Sequence, residues 1–156
     1  SEYEIVNRYL QLNDINKQKL LKVANELYFS QLYKYRVHAK LSAGLGNYYD
    51  ENYEFDTVYF NSEYDYDIAS WVDGDSMEPK YHNGDVALIK KTGFDYDGLI
   101  YAVVYNEETY IKKAYIEEDK VRLVSLNDKY DDIIAPIDEV RIVGLVTKSF
   151  RPISEV

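Results

Sequence analysis

Cysteine is absent from the 156 residues, which excludes disulfide scaffolds, thiolate zinc sites and cysteine nucleophiles together. Histidine is nearly absent: His38 and His82 are scattered and supply no His-rich metal site. Positive charge is scarce as well. Lys and Arg total 18 against 28 Asp and Glu, a formal net charge of -10 that repels phosphate backbones. The chain as a whole is therefore a poor nucleic-acid binder. No apolar run approaches the length of a bilayer span, and no charged-then-apolar leader opens the chain. These features predict a cytoplasmic protein with no membrane partner. The chain opens Ser1-Glu2 and its only methionine is Met77, so it can equally be a piece of something longer. Against these absences stand 18 tyrosines and a hydrophobic fraction of 46%, enough for a real core. The length predicts one domain, or one domain with an appendage.

The amino end reads as helical. Leu20, Val23, Ala24, Leu27 and Tyr28 fall on one stripe, with Asn13 or Asp14 as the N-cap. Residues 2–10 predict a shorter helix with Ile5, Val6, Tyr9 and Leu10 on one side. Two helices of mixed charge are too few for a self-sufficient DNA-binding bundle, so they read as packing or dimerising helices. At Tyr33 the period changes to two. Tyr33, Tyr35, Val37 and Ala39 alternate with Lys34, Arg36, His38 and Lys40, a half-buried strand. It runs into the small-residue segment 41–47 and then an acidic, tyrosine-rich stretch, 48–67. From Ile68 onward short β-branched or aromatic runs (86–89, 99–105, 109–116, 121–126) are separated by turn signals such as Asn83-Gly84-Asp85 and Asp97-Gly98. The fold class this predicts is mainly β, a coiled sheet or barrel-like domain preceded by one or two helices.

Two places carry chemistry. In Val72-Asp73-Gly74-Asp75-Ser76-Met77-Glu78-Pro79 a serine sits at an exposed bend, where backbone N–H groups can point at an incoming carbonyl. By itself, a Gly-Asp-Ser bend is just a turn. The second is Tyr110-Ile111-Lys112-Lys113-Ala114-Tyr115. With no histidine in a plausible triad position, a serine nucleophile needs another base, and lysine is the known substitute. Lysine is a base only when neutral, and desolvation on an apolar strand lowers its pKa. Strand alternation sends Lys112 and Lys113 to opposite faces, so one can be buried while the other reaches solvent. Periodicity does not choose between them, although Lys113 shares the more apolar face with Ile111 and Tyr115.

The segments taken together resemble the LexA-like peptidase domain, a family that includes LexA, the UmuD-type proteins and the phage lambda-type repressors. The resemblance is carried by Gly74-Asp75-Ser76-Met77-Glu78-Pro79, Asn83-Gly84-Asp85, the lysine pair beginning 36 residues beyond Ser76, Val121-Arg122-Leu123-Val124-Ser125-Leu126-Asn127 with Tyr130, and Arg141-Ile142-Val143-Gly144-Leu145-Val146. It covers the chain from about Tyr35 to the carboxyl end. It implies that Ser76 is the nucleophile, Lys112 the base, and the backbone N–H groups of Asp75 and Ser76 the oxyanion donors. It also implies self-cleavage at an Ala-Gly bond ahead of the serine, a place occupied here by Ala43-Gly44. Small residues suit a segment that must fold back into its own domain's cleft. No cofactor is called for.

Family repressors carry an amino-terminal helix-turn-helix domain that nothing here supplies. The expected organisation is thus a helical connector at 1–32, a strand and cleavage segment at 33–50, and a peptidase and dimerisation domain at 51–156. The implied partners are a second copy of the chain and either a RecA filament or a phage antirepressor. DNA is reached only through the absent domain. Apolar segments 133–137 and 140–146 are candidate self-association surfaces. The competing readings are a non-cleaving dimerisation module of the same fold and a UmuD-type polymerase accessory.

Overall fold

A computed structural model describes residues 1–39 and 54–154. Two helices, α1 (Glu2–Gln11) and α2 (Asp14–Ser30), precede nine strands: β1 (Tyr33–His38), β2 (Phe55–Phe60), β3 (Ile68–Trp71), β4 (Val86–Lys90), β5 (Ile100–Tyr105), β6 (Glu108–Glu117), β7 (Lys120–Val124), β8 (Ile133–Pro136) and β9 (Arg141–Phe150). The strands form one sheet in the order β2-β1-β3-β4-β9-β5-β6-β7-β8. The mainly β expectation, with two helices at the amino end, holds. No helix among the described residues is long and apolar enough to cross a membrane.

Local chemistry explains where the elements start and turn. Asn13 caps α2, its Oδ1 accepting from the Asn16 N–H at 2.8 Å. The β5–β6 hairpin turns through Asn106 and Glu107, both at positive φ (50° and 63°), the twist that two-residue hairpins favour. Three buried clusters line the sheet. Ile68, Val72, Met77, Tyr81, Ala87, Ile89 and Ile111 belong to the one that abuts the Ser76 turn. Tyr35, Val37, Leu88 and Phe150 belong to a second, and Tyr101, Val103, Ala114 and Leu123 to a third.

Three features differ from the expectations. The apolar stripe of α2 stays on the surface: Val23 is 50% and Leu27 65% exposed, and neither helix contains a buried residue. Phe29 meets the Tyr59 ring edge-on at 5.2 Å. The stretch 48–67, read only as acidic and tyrosine-rich, contains strand β2, which pairs antiparallel with β1 along its whole length. The alternation along β1 holds only in its middle. Tyr35 and Val37 are buried, yet Tyr33 and Ala39 face outward and His38, expected outside, is 6% exposed. His38 is where β1 also bridges β3, opposite Ser70, and the Phe55 ring covers its imidazole at 4.6 Å. A sheet neighbour on one side and a ring on its face bury it whatever the period.

Candidate active site

The Ser76 turn hangs between the end of β3 and the start of β4. Val72 N–H donates to Asp85 O and Gly84 N–H to Val72 O, both at 2.9 Å, which ties the two strand ends together. Gly74 has φ +77°, a conformation that L side chains resist, and its N–H donates to Asn83 Oδ1 at 2.8 Å. Asp85 is buried, accepts from the His82 N–H, and pairs with Arg151 at 3.1 Å, so the far side of the turn is braced. Met77 is 2% exposed and plugs the core beside Val72, Tyr81 and Ile111. With its neighbour anchored inward, Ser76 is held half-buried at the surface of a cleft.

Lys112 reaches the same point from β6, where it lies opposite Tyr101 in the ladder. It is 6% exposed, whereas Lys113 is half-exposed. The mild preference of the face pattern for Lys113 is therefore reversed in burial. Lys112 Nζ is hydrogen-bonded to Ser76 Oγ. Burial pushes the Lys112 pKa below the usual lysine value, because desolvation penalises the ammonium. Below its own pKa Nζ donates to Oγ; once neutral, it can instead accept the serine proton.

The sign of that shift also sets a stability effect. A lysine with a lowered folded pKa burdens the folded state below that pKa, and the burden lifts as pH rises toward 10.5. Lys112→Met keeps the stem and removes the charge. It is expected to raise the melting temperature at pH 7 by about 2–4 °C, the equivalent of ~1 kcal/mol in a chain of this size. The gain should vanish near pH 10. A melting temperature at pH 7 equal to or below that of the parent would contradict it.

The cleft has a volume of about 570 Å³; His38, Ala39, Trp71, Ser76, Tyr110 and Lys112 contribute to its wall. Burial, then the nearby Arg36 charge, lowers the His38 pKa and favours a neutral imidazole. His82 is exposed and pairs with Glu78 at 3.3 Å. Among the described residues no three His, Asp or Glu side chains are grouped to hold a metal ion. Ala43 and Gly44 lie outside the described residues. Ala39, however, lines the cleft, and its N–H donates to Glu54 O at 3.1 Å.

The segment that follows β7 contributes residues to which the sequence assigned no role. Asn127 N–H donates to Ser76 O at 3.0 Å, and its Nδ2 donates to Asp75 O at 3.1 Å. Tyr130 O–H is hydrogen-bonded to the Asp75 carboxylate. Asn127 and Tyr130 were visible as motif positions, but a contact between residues more than fifty positions apart has no local signature.

The sequence profile of the family described as Peptidase S24-like matches residues 31–147. The LexA repressor of Thermosipho africanus (strain TCF52B) is 34% identical over 120 residues, covering 74% of this chain and 60% of that protein. The LexA repressor of Thermosipho melanesiensis is 31% identical with the same coverage. That of Geotalea uraniireducens (strain Rf4) is 37% identical over 83 residues, 51% of this chain and 41% of its own. The chain thus spans 60% or less of the length of these relatives, and both α1 and α2 precede the region that the family profile matches.

Proposed function

The chain belongs to the Peptidase S24-like family, and from that premise we propose that it is the regulatory part of a LexA-type repressor that cuts its own Ala43–Gly44 bond. The observation that carries this reading is the hydrogen bond between Ser76 Oγ and a buried, pKa-lowered Lys112. Neutral Lys112 takes the Ser76 proton as Oγ adds to the Ala43 carbonyl. The N–H groups of Asp75 and Ser76 stabilise the oxyanion. On collapse, the Lys112 ammonium returns the proton to the Gly44 nitrogen, which leaves as a new amino terminus. Water gives a proton to Lys112 as its oxygen adds to the Ala43 ester carbonyl, and on collapse Ser76 Oγ leaves, taking that proton back from Lys112 and freeing the Ala43 carboxyl group. No metal or cofactor enters these steps.

Tethering supports the intramolecular route. Three residues lie between Ala39, on the cleft wall, and Ala43, a reach of at most roughly 14 Å over four residue steps of extended chain. Nucleophile and bond therefore share a high effective concentration. The rate at neutral pH is limited by protonated Lys112 and by how often the 43–44 bond occupies the cleft. A RecA filament or an antirepressor would act by raising that occupancy.

Incubation across pH 7 to 11 with intact-mass readout tests the reading. The expected result is first-order cutting into 1–43 and 44–156, independent of protein concentration. Its rate should rise about tenfold per pH unit and level off below the free-lysine pKa of ~10.4. A chain that stays whole throughout, and with RecA filaments added, leaves only the dimerisation-module role.

We also propose that the chain self-associates as a two-fold dimer, works in the cytoplasm, and reaches DNA through a domain outside this sequence. Strand β8 is a sheet edge with Ile134 51% exposed, followed by Ile137 at 41%, which makes it a candidate surface. Sedimentation is expected to show a dimer in the micromolar range. Monomer alone at high micromolar concentration removes the idea.

A further inference from the structure

The Asp75 carboxylate has a position that the cleavage chemistry makes consequential. Asp75 is the covalent neighbour of Ser76, so its side chain starts within one residue of the atom that Lys112 touches. A carboxylate free to swing toward Nζ would stabilise the ammonium and raise the pH at which Lys112 becomes a base. In the structure it does not line the cleft, whereas Ser76, Lys112 and Tyr130 do. It is instead held by the Tyr130 hydroxyl.

The grip on Tyr130 is built with some care for geometry. Asn127 organises the turn that carries it: Asn127 Oδ1 accepts from Lys129 N–H at 3.1 Å, and Tyr130 N–H donates to Asn127 O at 3.2 Å. The same asparagine holds the backbone of Asp75 and Ser76 through its N–H and its Nδ2. Tyr130 is thus fixed relative to the nucleophile turn itself. The hydrogen bond to Asp75, and then the Asp75 charge, raise the Tyr130 pKa above the usual tyrosine value.

Other charged or titratable groups around the cleft are Asp73 on the nucleophile turn, Glu107, Glu108 and Tyr110 on the β5–β6 hairpin, His38 on β1, and Asp131 after Tyr130. The four carboxylates among them are exposed, and solvent screens their effect on Lys112. Tyr110 is turned to Glu108, its hydroxyl donating to Oε2 at 2.9 Å. Asp75 is the carboxylate next to Ser76 in the chain, and the hydroxyl that holds it is that of Tyr130.

We propose that Tyr130 is a positioning residue that holds the Asp75 carboxylate away from Lys112, so that Lys112 can serve as a base at a lower pH. The proposal rests on the peptidase reading for its purpose, but not for its measurement. The experiment is a titration of the Lys112 Cε resonance in full-length chain labelled with ¹³C at lysine, in a Ser76→Ala background that cannot cut. Adding Tyr130→Phe is expected to move the Lys112 midpoint up by about one pH unit. Adding Asp75→Asn to that pair should return it to the parent value, which a merely structural loss would not do. With Ser76 intact, Tyr130→Phe should shift the cleavage profile by the same amount, a roughly tenfold loss on its rising limb.

An unmoved midpoint in Tyr130→Phe overturns the proposal. So does a shift that Asp75→Asn fails to reverse. If the midpoint moves and reverts as expected while the Ser76 chain never cuts, Tyr130 keeps its positioning role and the peptidase reading alone falls.

Discussion

Ser76→Ala and Lys112→Ala are each expected to slow self-cleavage at pH 10 by at least about a thousandfold, while Lys113→Ala stays within roughly twofold of the parent. The asymmetry between the two lysines is the informative part. Both sit on β6, one residue apart, and both carry the same charge. Lys112 is buried and bonded to Ser76 Oγ, whereas Lys113 is half-exposed in the ladder between Ile100 and Val124. Lys112 combines contact with Ser76 Oγ and a pKa that burial lowers. Circular dichroism on each variant separates lost chemistry from lost fold. Cleavage that survives Lys112→Ala but not Lys113→Ala would show the base to be misassigned.

The largest stability effect is expected at Gly144. A Cβ built there would stand 2.1 Å from Lys90 O and 2.8 Å from Ile89 Cγ2. The first of these is backbone and cannot rotate away. Strand β9 would have to part from β4, which it pairs through Ile89 and Lys90, or from β5, where Gly144 itself lies opposite Ala102. Since β9 joins the two halves of the sheet, neither adjustment is local. Gly144→Ala is expected to cost about 3 kcal/mol or more, a fall of roughly 6–12 °C in melting temperature. A thermal melt within 2 °C of the parent would refute the close-approach argument. Gly93, whose added Cβ meets nothing within 4 Å, serves as the control.

The sequence by itself determined the class of the fold, because period and punctuation are local properties. Apolar runs of five to ten residues (β4 to β7) and turn residues such as Gly84 and Gly98 need no distant partner to be read. It also offered the chemical candidates, Ser76 at its Gly-Asp-Ser bend and the lysine pair at 112–113, which the resemblance to the LexA-like peptidases joined as nucleophile and base. Tertiary structure alone decided which lysine is buried. Alternation states that two neighbours face opposite ways, not which face is later covered, and the turn that covers Lys112 comes from residues far away in the chain. His38 and β2 were missed for the same reason. His38 is buried by Phe55 and by the β3 bridge, and β2 is made a strand by its partner β1 more than by its own pattern. The Asn127 and Tyr130 contacts to Asp75 and Ser76 are the extreme case. A hydrogen bond spanning half a hundred residues leaves no periodic trace, so the packing of the segment after β7 against the Ser76 turn, and not the residue types at 127 and 130, is what makes them part of the site.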